Sequence, residues 1–293
     1  MLTSFDPLFA TGPWEHRSVD AHGARFHVVG CGDLERADRI VLLLHSYPQH
    51  WYAWRSVLPA AAELGYPVYA VDLRGYGASD KPPRQFATPV LSADILGIVS
   101  SLGASEAILV GHGLGGVVAR GAAAKDPGRV RHVVAVSSPH PARWSLPLGH
   151  LSATRWLTWV QLPYLPERSH TRGSAVARFV TSLASPESPA VSALETYARA
   201  LRSPFAAHCA MEQIRWLVRS RHRPTGRGFL AALERAAYAV PVTEVRGRSD
   251  GLWDPTLFDT SALISQAGHF LPEEDPALVT EAIAGAVHGA FGS

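Results

Sequence analysis

The sequence predicts an α/β protein in which a mostly parallel sheet is covered by helices on both faces and a helical segment is inserted late in the chain. Two observations predict it. Short runs rich in aliphatic and β-branched residues alternate with longer helix-like stretches over the first half. That strand rhythm stops between about Ser145 and Gly228 and then resumes. Strands apolar on both faces need cover on both, which parallel β–α–β units supply.

The elements follow in order. His16 to Asp20 and Ala24 to Gly30 flank the turn-like Ala21-His22-Gly23 and read as an N-terminal hairpin. Arg39 to Leu44, Tyr66 to Val71, Ala107 to Val110 and Val130 to Val136 read as buried strands. Trp51 to Leu64, Val90 to Leu102 and Leu114 to Lys125 are the helices between them. From Ser145 to Gly228 the chain is rich in Trp, Arg and Pro with helical spacing, as in Ser152 to Val160 and Ala190 to Leu201. Strand signals return at Val242 to Arg246 and Ala262 to Ile264, and Pro276 to Phe291 closes the chain as an amphipathic helix. The expected division is a core of residues 1–144 and 229–293 with a helical cap of residues 145–228.

Composition narrows the function. The 293 residues are 47% hydrophobic and 18% charged, as expected of a globule with a large core. A net charge of +2 from 27 basic and 25 acidic residues, scattered without a stripe, argues against nucleic acid as a partner. The densest basic segment, Arg215 to Arg227, reads as a solvated helix face and loop in preference to a binding patch. The longest apolar runs, such as Ile40 to Leu44, fall far short of the roughly 18 residues a membrane span needs. Met1 to Trp14 carries Asp6 and has neither a basic leader nor a continuous apolar stretch, so a cytoplasmic location is expected. Cys31 and Cys209 have no metal or redox spacing and are expected as free thiols. The sequence calls for no cofactor or metal, and it leaves the oligomeric state open.

The strongest local signal is Val110-Gly111-His112-Gly113-Leu114-Gly115-Gly116, set between a strand and a helix. Small residues flanking the centre are what a sharp strand-to-helix turn requires, and such a turn presents its central residue as a nucleophile. The centre here is Gly113.

At these residues the chain resembles the α/β-hydrolase superfamily, and within it the branch of epoxide hydrolases and haloalkane dehalogenases. His45-Ser46-Tyr47-Pro48-Gln49-His50-Trp51-Tyr52-Ala53-Trp54-Arg55 is similar to the branch's His-Gly-Phe-Pro-x-x-Trp-Tyr-x-Trp-Arg segment, with Ser46 in place of glycine. Asp72-Leu73-Arg74-Gly75-Tyr76-Gly77-Ala78-Ser79-Asp80-Lys81-Pro82 is similar to its Asp-x-Arg-Gly-x-Gly-x-Ser-Asp-x-Pro loop. The resemblance covers the chain except the cap, and it implies an α/β-hydrolase fold with an eight-stranded sheet. It further implies an oxyanion site made by the backbone N–H groups of Tyr47 and Leu114 beside His45, with Asp250 orienting His269 as general base. Asp254, before Pro255, reads as a turn or helix-start residue instead. Asp72 and Arg74 read as a buried ion pair fixing their loop, and Asp80 is structural in the same way. Ser46 is a further hydroxyl for which the motif places no base. The branch uses two cap tyrosines to polarise an epoxide oxygen. Tyr164 stands at a plausible distance after the elbow, with a core or rim role equally open to it, and no tyrosine stands in the expected place before Asp250.

Without a nucleophile at the elbow, ordinary covalent catalysis is lost. Three readings remain: a hydrolase or lyase in which the His269–Asp250 dyad activates water against a small apolar substrate held between core and cap, a non-catalytic protein that keeps the pocket to bind such a molecule or a partner, and a variant from which a native Ser or Asp has been removed.

Overall fold

Strand β3 shows how the sequence makes the sheet. In the computed structural model, which describes residues 7–35, 38–144, 151–172 and 174–292, β3 (Arg39–Leu44) sends Ile40, Leu42 and Leu44 into one apolar cluster and Val41 and Leu43 into the other. Side chains alternate across a strand, so a run apolar at every position fits only a strand covered twice. All five are fully buried.

Eight strands form one sheet: β1 (Glu15–Ala21), β2 (Ala24–Cys31), β3, β4 (Val68–Val71), β5 (Glu106–His112), β6 (Val130–Val136), β7 (Val242–Gly247) and β8 (Leu263–Ser265), in the order β1-β2-β4-β3-β5-β6-β7-β8. Strand β2 is antiparallel to both neighbours and every other pairing is parallel. The chain leaves β3 to one side for β4 and returns to the other side for β5. That reversal opens a crevice at the C-terminal ends of β3 and β5, where a ligand site is expected in such sheets.

The core helices are α1 (Val57–Ala62), α2 (Thr88–Ser101) and α3 (Leu114–Lys125). Between β6 and β7 the chain runs through α4 (Leu151–Val160), α5 (Leu165–Thr171), α6 (Ser174–Leu183), α7 (Pro189–Ser192), α8 (Leu194–Leu201), α9 (Ala206–Arg219) and α10 (Pro224–Ala236). Helices α11 (Leu271–Glu274) and α12 (Pro276–Phe291) end it. Among the described residues no helix is long and apolar enough to cross a membrane.

Prolines explain most departures from the expected bounds. The stretch from Trp51 to Leu64 is a short 3-10 turn, Trp51–Trp54, followed by α1. Pro59 has no N–H and would clash in the middle of one long helix, whereas the first turn of a new helix accommodates it. Pro67 likewise delays β4 to Val68, and Pro89 lets α2 begin at Thr88, two residues early. The stretch from Ala190 to Leu201 divides into α7 and α8 at Ala193. The expected start of the insertion, 145, lies outside the described residues, as do residues 1–6. Its expected end, Gly228, falls inside α10, which packs on α3 of the core.

Candidate functional site

The turn after β5 is built on close backbone approach. A Cβ on Gly111 would lie 2.3 Å from the backbone of Gly115 and Gly116, and one on Gly115 would lie 2.2 Å from the Leu44 carbonyl. Neither position admits a side chain, so α3 starts directly against the sheet. Gly113 caps α3 at φ 48° and ψ −111°, its N–H donating to the Val136 carbonyl at 2.9 Å and its carbonyl accepting from Ser138 Oγ at 2.7 Å. That conformation strains any residue with a Cβ.

His269 follows β8 and is 1% exposed. Its Nδ1–H donates to the Asp250 carboxylate at 3.0 and 3.1 Å, which fixes the tautomer with a free lone pair on Nε2. Asp250 also accepts from the Leu252 N–H at 2.9 Å. The His269 N–H donates to the Leu183 carbonyl at 3.2 Å, and its carbonyl accepts from His112 Nε2–H at 2.9 Å. Burial lowers His112 well below the usual imidazole range, so it acts as a neutral prop. A Cβ built on Gly113 would be 3.8 Å from His269 Nε2. The expected dyad is therefore assembled and faces the glycine.

The crevice holds a cavity of about 530 Å³. Its floor is Ser46, Tyr47, Gly113, Leu114 and His269, and its roof includes Trp156, Phe179, Ile214 and Leu217 from the inserted helices. Aromatic and aliphatic side chains dominate it, as in sites for small apolar ligands.

The loop after β3 and its contact with Leu114 differ from expectation in two ways. His45 is fully buried and does not line the cavity: its Nδ1–H donates to the Ser46 carbonyl at 3.0 Å and its Nε2 accepts from the Leu73 N–H at 3.0 Å. With both ring nitrogens on backbone, His45 positions the loop. The Leu114 N–H is engaged, donating to Ser46 Oγ at 3.1 Å. The Tyr47 hydroxyl donates to His170 Nε2 at 2.6 Å, and His170 Nδ1–H donates to the Pro166 carbonyl at 2.6 Å. Burial pushes the Tyr47 phenol well above its usual range, so it stays protonated. No hydrogen bond of the Tyr47 N–H is seen among the described residues.

Tyr164 is 79% exposed and outside the cavity, so it cannot serve as an acid there. It precedes α5 at positive φ, which turns it to solvent. Asp254 accepts from the Thr256 N–H at 2.9 Å and starts a short helical turn, as expected. Asp72 and Arg74 are both buried but not paired with each other. Asp72 accepts from His27 Nδ1–H, the Trp51 N–H and the Ala78 N–H, each at 2.8 Å. Burial alone would raise its carboxyl, yet the hydrogen bond and charge of His27 outweigh it and hold Asp72 far below the usual range. Arg74 instead forms a two-pronged pair with Asp94, both contacts at 2.6 Å. Asp80 accepts from the Arg25 N–H at 2.8 Å and fixes the same loop. Arg215, expected on a solvated face, is 4% exposed and paired with Glu167 and Glu212. Cys31 and Cys209 are free and buried.

Sequence reasoning missed the props behind the site. Gln49 Nε2–H donates to Glu273 Oε2 at 2.7 Å and Arg55 to Glu273 Oε1 at 2.6 Å, tying the loop after β3 to α11, four residues beyond His269. The Gln49 and Arg55 positions lay within a recognisable segment, but only the fold brings Glu273 to them.

Comparison with known proteins gives one picture. The family profile described as "alpha/beta hydrolase fold" matches residues 39–276. Epoxide hydrolase 3 of Xenopus tropicalis is 37% identical over 151 residues, covering 50% of this chain and 40% of that protein. Epoxide hydrolase B of Mycobacterium tuberculosis is 40% identical over 130 residues, covering 44% and 36%. The chain thus spans well under half the length of these curated relatives in its matches. Over nearly its whole length it is 27% identical to the Bacillus subtilis AB hydrolase superfamily protein YfhM, with 90% of this chain and 95% of that protein covered. Among solved structures, the ligand-free epoxide hydrolase CorEH aligns with a TM-score of 0.75 at 25% identity over 95% of this chain and 99% of that one.

Proposed function

This chain belongs to the α/β-hydrolase-fold family, and from that premise we propose that it is an epoxide-hydrolase-like hydrolase without a covalent nucleophile, in which His269, oriented by Asp250, activates water against a small apolar substrate. In this proposal the inserted helices, residues 145–228, act as the cap over the substrate, and the two free, buried cysteines fit work in the cytoplasm. Nucleic acid has no role in it.

The observation that carries the reading is the dyad itself. His269 Nδ1–H is held by Asp250 at 3.0 Å while Nε2 faces an apolar cavity beside Gly113, where the Ser46 side chain takes the room of a nucleophile's side chain. A water in the cavity beside them would have the His269 Nε2 lone pair and the Ser46 hydroxyl as hydrogen-bond partners. Water gives a proton to His269 Nε2 as its oxygen attacks, and the imidazolium, stabilised by Asp250, returns the proton to the leaving group.

The test is a screen over esters, lactones, epoxides and haloalkanes with the wild-type protein, His269→Ala and Asp250→Asn. Turnover should fall roughly 100- to 10,000-fold in His269→Ala, and acid-quenched enzyme should carry no covalent adduct. A covalent adduct, or activity indifferent to His269, sinks the proposal.

One observation favours a second reading, binding without turnover. The Leu114 N–H, a family oxyanion donor by resemblance, is already engaged by Ser46 Oγ. A blank screen together with saturable binding of an apolar ligand in the cavity would select that reading.

A further inference from the structure

Ser46 stands where the resembling segment has glycine, and its side chain sits at the centre of the site. Its carbonyl is held by the Gln49 N–H at 2.8 Å and by His45 Nδ1–H at 3.0 Å, so the backbone that aims it is fixed. Ser46 Oγ lies 2.4 Å from the Cβ position of Gly113, about the reach of a carboxylate oxygen carried by a side chain at that position, and His269 Nε2 lies 3.8 Å from the same point. The oxygen accepts the Leu114 N–H at 3.1 Å. Its own proton has no acceptor among the described residues, and the residue lines the cavity.

A hydroxyl whose oxygen already accepts a hydrogen bond is polarised into a better donor. Among the described residues the cavity offers no other neutral O–H donor of this kind: Tyr47, its lining tyrosine, gives its hydroxyl to His170, and Tyr164 faces solvent. What the site presents beside the base is the Ser46 O–H, followed in the chain by the Tyr47 N–H, which has no hydrogen-bond partner among the described residues. Such a pair matches negative charge growing on a carbonyl oxygen, whereas an epoxide oxygen needs an acid.

Resting on the proposal that His269 activates water, we infer that Ser46 is a catalytic residue whose hydroxyl donates to the oxyanion formed when that water adds to an acyl carbonyl, so that the substrate is an apolar ester or lactone. Water loses a proton to His269 Nε2 and its oxygen bonds to the carbonyl carbon. The carbonyl electron pair moves to oxygen and is held by Ser46 and Tyr47. Collapse breaks the bond to the leaving alkoxide, which takes the proton from His269, and acid plus alcohol result. The Leu114 N–H acts through the serine, as a relay. Ser46 as the attacking group is disfavoured because it makes no hydrogen bond to His269.

The experiment uses the full chain with p-nitrophenyl butyrate and styrene oxide as paired probes, and a hexyl trifluoromethyl ketone, whose hydrate becomes a tetrahedral oxyanion on giving a proton to His269, against the parent secondary alcohol. Ester turnover should exceed epoxide turnover. Ser46→Ala should lower kcat for the ester about 100-fold with little change in KM. It should weaken the ketone by a similar factor and leave the alcohol unchanged, and Ser46→Thr should restore most of the loss. Unchanged ketone binding and kcat in Ser46→Ala overturn the inference, as does an acyl adduct on Ser46 in acid-quenched enzyme. Preference for styrene oxide over the ester also overturns it. Should neither probe turn over, the ketone decides: wild-type binding no tighter than that of the alcohol overturns the inference. His269→Ala that leaves ester turnover intact while Ser46→Ala abolishes it defeats the water-activation proposal separately.

Discussion

A carbon placed on Gly113 would lie 2.4 Å from Ser46 Oγ and 2.9 Å from Ser46 Cβ, inside any tolerable contact. The two residues therefore form a matched pair, with the serine's side chain occupying room that a side chain at the elbow would need. Positive φ at Gly113 adds about 1 to 2 kcal/mol of strain for any other residue, and overpacking adds about 1 to 3 kcal/mol. Gly113→Asp alone should lower the melting temperature by roughly 5 °C or more at about 2 to 4 °C per kcal/mol. Ser46→Gly in the same chain should recover the overpacking part, leaving only the backbone strain. Calorimetry on the two single variants and the double variant checks this, and additive losses would mean that the pair is not coupled. The sequence made both substitutions legible separately, one in each motif. Their contact was not legible, because 66 residues separate them and only the adjacency of β3 and β5 brings them together.

At the scale of elements, the crevice follows from strand order. The loops after β3, β5 and β8 meet above the C-terminal ends of the strands, and each one delivers a site residue: Ser46, Gly113 and His269. Those three segments were readable because each pairs a strand signal with a glycine- or histidine-marked turn. The inserted segment was readable only as helical, since apolar helical spacing does not say which face meets the core. His170 shows the consequence. Nothing in Pro166-Glu167-Arg168-Ser169-His170 announces that its ring accepts the Tyr47 hydroxyl, joining α5 to the loop after β3. Tyr47 also packs its ring on Trp156 and Phe179 at 5.4 and 4.9 Å. Tyr47→Phe keeps that packing and leaves His170 Nε2 unpaired in a buried place, a loss of about 1 to 3 kcal/mol. Hydrogen exchange should show α5 and the loop after β3 opening together more readily in Tyr47→Phe. Unchanged protection in both would mean that aromatic packing alone holds α5 there.

Across the whole molecule, buried histidines tie stability to pH. His50 is fully buried, and burial lowers it to about 4, against the attraction of Asp72 at 4.0 Å; His45, His27 and Arg55 push the same way as burial. Burial lowers His45 and His112 as well. In the unfolded chain these rings take up protons near pH 6.5, whereas in the folded chain His50 stays neutral until about pH 4. The unfolded state thus binds more protons between these values, and stability rises with pH through the window. The contribution is complete above about pH 6.5 and is lost progressively as the pH falls toward 4, on the order of 3 kcal/mol for a single ring shifted this far. Asp72 acts in the same direction but only below the ordinary carboxylate range, so the loss between pH 7 and 4.5 belongs to the histidines. Chemical denaturation at a series of pH values should show stability falling across this window, and His50→Gln should flatten the slope. Gln cannot take a proton, so its remaining slope measures the other rings less the opposing carboxyls of Asp94 and Glu273, which burial raises. A His50→Gln profile parallel to that of the wild type would mean that His50 titrates alike in both states, and that it is not held neutral by the fold.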